Sequence, residues 1–189
     1  TGRNLSDIKK ISFFMDECKR MGLSVLGPDV NYSKSRFSVD EGGNVRFGLA
    51  AIKGVGEAAV KDIVESRQRD GKFKSIYDFM ERVNLQAVNR KTLENLVLGG
   101  AFDTISDLPR SAYFAPDGRE GSFLEALMRY GNRVQSEKAN VQQSLFGGGG
   151  EAEIQKPEPL PHEPWTQIET LNKEREVIGI YLSSHPLDN

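Results

Sequence analysis

Between Ala51 and Val64 the chain reads AIKGVGEAAVKDIV, with two glycines one residue apart ahead of an amphipathic run. Gly54 and Gly56 have access to positive φ and carry no side chain, so another molecule can come within hydrogen-bonding distance of the main chain. The amides there open a helix expected from about Glu57 to Arg69, and unpaired N–H groups at a helix start favour an anion. The chemistry on offer is capture of a phosphate. Val55, with Leu49, Ile52, Ile63 and Val64 around it, would hold two flanking helical segments at a fixed angle. Apolar residues arranged in this way about a Gly-apolar-Gly core form the helix-hairpin-helix pattern.

Other glycine loops fit less well. A dinucleotide-binding loop needs a preceding strand and a third glycine, but that position is Ala59 and the run before the loop is helix-like. A nucleoside-triphosphate loop needs Gly-Lys-Ser or Gly-Lys-Thr, and the chain has neither. From these residues alone a tight turn with no ligand is an equally good account. Local charge tilts the balance. Arg46, Lys53, Lys61, Arg67, Arg69, Lys72 and Lys74 outnumber Glu57, Asp62, Glu65 and Asp70 by seven to four, a net +3 in a chain of net charge −2. Amides and lysines reach phosphate oxygens and leave base edges unread, so the expected ligand is duplex DNA bound without sequence preference. Lys53, Gly54, Val55, Gly56 and Lys61 are the contact candidates. Asn84 to Asp103, NLQAVNRKTLENLVLGGAFD, has the form of a degenerate second copy in which Asn89, Arg90 and Lys91 open the helix. An ordinary capped helix explains that stretch as well.

The positioning elements are mainly α. A first helix is expected from Ser6 as N-cap, with Ile8, Ile11, Met15 and Cys18 on one face and Gly22 as its stop. Arg36–Asp40 and Asn44–Phe47 flank EGGN and predict a small β-hairpin, with Phe37 and Val39 on one side. Further helices are expected at Ile76–Arg82, at Arg90–Leu98 with Asn89 as cap and Gly99–Gly100 as stop, and from Phe123 to about Ser136. Ser106–Gly121 has the composition of a loop. Lys138–Pro164, with four consecutive glycines and four prolines, predicts a flexible linker. Thr166 and Glu169 form a capping-box pattern ahead of Ile168, Leu171 and Ile178.

Composition excludes several classes. With one cysteine and two histidines there is no disulfide framework and no zinc spacing. Cys18 on an apolar stripe suits packing better than nucleophilic chemistry, and His185 before Pro186 has a structural role. No apolar run approaches membrane-spanning length and no signal peptide opens the chain, so the expected location is cytoplasmic. The chain ends at HPLDN with no evident domain boundary and has the look of an excerpt.

Taken in order, MDECKRMGLSVLGPDVNYS (15–33), FGLAAIKGVGEAAV (47–60), DFMERVNLQAVNRKTLENLVLGGAFD (78–103), QQSLFG (142–147) and EREVIGIYLSSHPLD (174–188) resemble the alpha subunits of bacterial DNA polymerase III. Gly27 stands where the family usually has proline, and Val60 where the general hairpin motif prefers alanine. The resemblance implies that residues 1–34 end the fingers domain. It implies that residues 35–105 hold the β-hairpin and a tandem helix-hairpin-helix region on duplex DNA. Residues 106–164 would be a helix and linker carrying a motif for the sliding clamp (the beta subunit), with Gln142, Ser144, Leu145 and Phe146 in its slots. Residues 165–189 would lead to a following domain. Leu145 and Phe146 are the large apolar pair of a polar, glycine-rich run, and they need a partner's pocket to leave water. The resemblance implies a DNA-directed DNA polymerase for the parent chain, with magnesium as its cofactor and other replisome subunits as partners. This segment has no clustered acidic motif, so no catalytic or metal-binding residue and no cofactor is expected in it. Two rivals are the helix-hairpin-helix domain of a repair ligase or nuclease, and an interaction scaffold in which the glycine loop is only a turn.

Overall fold

The computed structural model describes residues 5–143 and 153–179, with side chains from residue 9 onward. Helix α1 spans Leu5–Arg20 and buries Met15 and Cys18. It ends in a Schellman motif: Gly22 adopts φ 75°, Leu23 N–H donates to Cys18 O at 2.8 Å, and Gly22 N–H donates to Lys19 O at 3.0 Å. Ser6 is not its cap, because the helix already includes Leu5. Strands β1 (Val25–Leu26), β2 (Ser38–Val39) and β3 (Val45–Arg46) form a sheet of order β1-β3-β2. The expected hairpin is β2–β3, antiparallel with Val39 opposite Val45. The parallel partner β1 was not anticipated, since two apolar residues carry no alternation to read. Val39 does not share the buried face of Phe37. It is 68% exposed on the edge strand, whereas Phe37 packs against Phe47 and Phe14 with ring centroids 4.7 and 5.3 Å apart.

The helical block comprises α2 (Glu57–Asp70), α3 (Ile76–Arg82) and α4 (Arg90–Leu98). Ser75 Oγ caps α3 by accepting from Asp78 N–H, and Asn89 Oδ1 caps α4 by accepting from Thr92 N–H at 3.1 Å. The run before the glycine loop is a single 3-10 turn, Leu49–Ala51, and not a full helix. Gly48 enters it in an extended conformation and lies so close to Ser35 and Arg36 that a Cβ would meet Ser35 O at 2.6 Å. Ile52 leaves it extended again, so three residues are all the chain has for this turn.

Helix α5 runs Phe123–Gln143, a full two turns past the expected end at Ser136. Its last residues are exposed and lack an apolar stripe, but they are mostly good helix formers. Ser106–Gly121 is not an open loop: the 3-10 helix Arg110–Phe114 buries Ser111, Ala112 and Tyr113, and a bridge pairs Pro116 with Ser122. The expected flexible linker is only partly unstructured. Lys138–Gln143 is helical, and residues 153–164 lie without regular secondary structure along the bundle as a strap. Tyr77 Oη donates to Pro157 O at 2.6 Å, and the His162 ring lies 3.2 Å from Ser111 Oγ. Prolines lose little chain entropy on docking, so few contacts suffice to hold such a strap. Trp165 then packs on Phe114, with the rings tilted and their centroids 5.3 Å apart, and leads into α6 (Gln167–Ile178). The Thr166–Glu169 capping box is formed as expected, with Leu171 and Ile178 buried and Ile168 54% exposed. Ser144, Leu145 and Phe146 of the apolar motif, and His185, lie outside the described residues.

One hydrophobic core runs through these elements, centred on Phe47, Ile63, Phe79, Leu93 and Phe102. Helices α3 and α5 pack closely at Gly131, where a Cβ would meet Met80 O at 2.5 Å. One turn on, Gln135 Nε2 donates to Met80 O at 2.9 Å and Val83 O at 2.8 Å, satisfying carbonyls that the end of α3 leaves open. Arg110 fastens α6 to the block, donating to Leu98 O at 3.1 Å and pairing with Glu174 at 3.0 Å and Asp103 at 2.7 Å.

Burial pushes the Tyr113 hydroxyl up to about 12, and burial with the nearby Glu81 carboxylate does the same for Tyr130. Both stay protonated in the fold after the unfolded chain has begun to ionise near pH ~10. Their contribution to stability is therefore whole below pH ~10 and lost as pH rises toward ~12, at up to about 1.4 kcal/mol per pH unit for Tyr113 and less for Tyr130. Denaturant midpoints should be flat from pH ~8 to ~9.5 and fall steeply above ~10. Tyrosinate absorbance in the native protein should show late-titrating groups, and a flat midpoint through pH ~11 would contradict this.

Candidate nucleic-acid interface

The two glycines have different reasons to be glycine. Gly54 has φ 74°, and a Cβ on it would fall on Asn95 Nδ2. That side chain, 3% exposed on α4, donates to Lys53 O at 2.6 Å, and Thr92 Oγ1 reaches Gly54 O at 3.4 Å. Lys53 N–H donates to Val177 O of α6 at 2.8 Å, and Val55 N–H donates to Ile52 O at 3.2 Å. Four main-chain groups of the loop are thus tied inward, and Val55 is buried. Gly56 does not use positive φ. It is the N-cap of α2 at φ −82° and ψ 164°, a conformation open to any residue, and a Cβ there would meet nothing within 4 Å. Nothing inside the chain requires glycine at that position. Without a side chain there, the start of α2 is left open.

Gly56 provides no side-chain cap, and the N–H groups of Gly56, Glu57, Ala58 and Ala59 have no acceptor among the described residues. These are the donors that an anion at a helix start would use. Lys53 against Asn95 and Gly54 against Thr92 step together toward the N-terminus of α4, so the loop runs toward the second candidate site. There Asn89 spends its side chain on the α4 cap, and the amides of Arg90 and Lys91 have no acceptor among the described residues.

The charges divide into tied and free. Arg90 lies 2.8 Å from Glu125 and 3.7 Å from Glu94, and the Arg90 guanidinium holds the Glu125 carboxyl below its usual range. Arg67 donates to Val30 O, Arg46 to Gly27 O, and Arg69 pairs with Asp70. Lys61 lies a loose 3.9 Å from Glu65. Lys53 and Lys91 are exposed and form no ion pair among the described residues. Of the cations counted along the sequence, Lys53, Lys61, Lys72 and Lys74 are the ones least engaged by other groups, and Lys91 adds to them at the second loop.

Asn95, Thr92 and Val177, which set the loop, were missed as site residues. Asn95 had a visible signal: an amide between leucines on an apolar face has to find a partner. A main-chain bond from Lys53 to a helix 124 positions away had none.

Residues 22–112 match the helix-hairpin-helix motif family, a span that includes both loops. Over 184 residues the chain is 37% identical to the DNA polymerase III subunit alpha of Haemophilus influenzae, covering 97% of this chain and 15% of that protein. It is 35% identical to that of Vibrio cholerae, covering 98% of this chain and 15% of the other, and 33% identical to that of Escherichia coli K12 with the same coverage.

Proposed function

The chain belongs to the DNA polymerase III alpha-subunit family, spanning about 15% of the length of the relatives it matches, and from that premise we propose that it is a non-catalytic segment that grips duplex DNA by its phosphate backbone. The observation that carries this is Gly56: a helix N-cap with an ordinary φ, no side chain, open space in front of it and four helix-start amides without acceptors. Two to three phosphates held by these amides, Lys53 and Lys61 would give log affinity a slope of about −2 to −3 against log salt. Base edges receive no donor from such a loop, so the grip is indifferent to sequence. A repair-enzyme origin explains the hairpin but not similarity over 97% of the chain.

The parent protein in this account extends primers in the cytoplasm as part of a replisome. Magnesium would belong to the catalytic carboxylates of that parent protein. No helix among those residues is long and apolar enough to cross a membrane.

The second half of the proposal is the sliding clamp. Gln142 sits exposed at the last turn of α5, and eleven residues later, at Glu153, the docked strap begins. Leu145 and Phe146 between them would each contribute about 1.5–3 kcal/mol on entering a pocket, before the peptide's ordering cost. That is modest alone. Joined to a DNA grip, the peptide meets a clamp on the same DNA at high effective concentration, so two weak contacts sustain processive synthesis. Leu145 and Phe146 changed together to alanine should remove the calorimetric signal with a bacterial clamp while duplex affinity holds. Normal clamp binding by that variant would end the assignment of QQSLF. Duplex affinity that does not respond to salt would end the assignment of the loop.

A further inference from the structure

We propose that the turn carrying Tyr32 is a second nucleic-acid contact, taking single-stranded DNA by stacking a base on the Tyr32 ring beside Arg46 and Lys72. It rests on the nucleic-acid reading of the chain but not on the glycine loop. Tyr32 is 51% exposed, with the Lys72 ammonium 4.3 Å and the Arg46 guanidinium 5.5 Å from its ring centroid.

The turn beneath it is rigid. Asp29 N–H donates to Ser33 Oγ at 2.9 Å, Asn31 N–H to Asp29 Oδ1 at 2.7 Å, and Thr104 Oγ1 to Asp29 Oδ2 at 2.6 Å. Asn31 exchanges two hydrogen bonds with the main chain of Phe73, at 2.9 and 2.8 Å, so the turn and the segment holding Lys72 move as one. Buried polar groups fix the backbone here while Tyr32 stays half exposed with the two cations over its ring, which is preorganisation for a ligand and not for the core.

The surroundings are cationic. Arg46 keeps its positive charge while it donates to Gly27 O at 3.0 Å, and Lys72 is held by one hydrogen bond to the Tyr32 hydroxyl at 3.1 Å, which it can exchange for a phosphate. Lys34, Arg36 and Lys74 are exposed nearby in the chain. Of the acids, Asp29 has both oxygens engaged and Asp70 pairs with Arg69. An exposed aromatic ring with cations over it fits an unpaired base, which takes a cation's place on the ring while that cation turns to the phosphate, because bases in a duplex are stacked on one another. Lys72 follows the C-terminus of α2, whose 14 residues put it about 21 Å from Gly56. The two sites therefore address separate stretches of nucleic acid.

The test is fluorescence anisotropy with a labelled oligothymidylate and, separately, a blunt duplex at low salt. Tyr32→Ala should weaken oligothymidylate binding at least about fivefold, and Tyr32→Phe should stay within about twofold of the parent, since stacking needs the ring and not the hydroxyl. Lys72→Gln should lower the salt slope by about one. Duplex affinity and melting temperature should not follow Tyr32→Ala. Unchanged oligothymidylate binding by Tyr32→Ala, an equal loss on both DNAs, or no single-strand binding by the parent chain would each overturn the proposal. The first of these leaves the duplex grip standing.

Discussion

Gly54→Ala should destabilise the fold by about 2–5 kcal/mol, whereas Gly56→Asp should leave stability unchanged or raise it by a few tenths of a kcal/mol. At Gly54 an alanine must hold φ 74° and place its Cβ on Asn95 Nδ2. The left-handed backbone alone costs about 1–2 kcal/mol. Moving Asn95 strips a buried amide and Lys53 O of their hydrogen bond, for about 1–3 kcal/mol more. In a chain of this length that corresponds to a melting temperature lower by roughly 5–15 °C. At Gly56 the backbone is already that of an N-cap, and an aspartate there gains the cap that glycine lacks. It also sets a carboxylate in front of the donors a phosphate would use, so duplex affinity should fall about 10- to 100-fold in a protein at least as stable as its parent. Gln68→Asp, on an exposed position far along α2, controls for net charge and should change affinity little. Thermal melts and duplex titrations of the three variants check the set. Equal melting temperatures for the two glycine variants would contradict the division of labour drawn between them.

Phe79→Ala carries the largest expected effect on folding. Phe79 is fully buried in α3, edge-on to Phe73 at 4.8 Å and to Phe102 at 4.9 Å, which ties α3 to the segment before it and to the end of α4. Removing the ring opens a cavity that its neighbours cannot fill by rotating, at about 3–5 kcal/mol. That is a large share of the roughly 5–15 kcal/mol by which domains are stable. Both loops depend on α2 and α4 being held together, so duplex binding should disappear along with the cooperative urea transition. Phe79→Leu, which keeps most of the volume, should cost less than half as much. A loss below about 1 kcal/mol for Phe79→Ala would mean the core is not organised about this ring.

The helical block was legible because its punctuation is local. Ser75 and Asn89 cap their helices through their own side chains, and Gly22 and Gly100 terminate theirs by adopting positive φ, all within a few residues in sequence. What escaped was set by distant partners. The 3-10 turn before the glycine loop is short because Gly48 lies against Ser35 and Arg36. The Pro-rich strap is docked because Tyr77 and Ser111, each some 50 or more positions away, offer it hydrogen bonds. The site followed the same rule. The glycines and lysines were visible as a pattern, but which glycine shapes the loop and which one leaves it open depends on Asn95 across the bundle. Charge counted along the chain could not show that Arg67 is already engaged by Val30 O and Arg69 by Asp70.

The most direct test of the central claim is the anisotropy of this chain with a fluorescent duplex of arbitrary sequence, titrated across a salt series, for the parent and for Gly56→Asp. The account predicts affinity that falls with salt at a slope of about −2 to −3, ignores sequence, and drops at least about tenfold in the variant. Parent and variant binding alike, or a parent whose affinity is flat in salt, would show that the amides at Gly56 do not hold a phosphate.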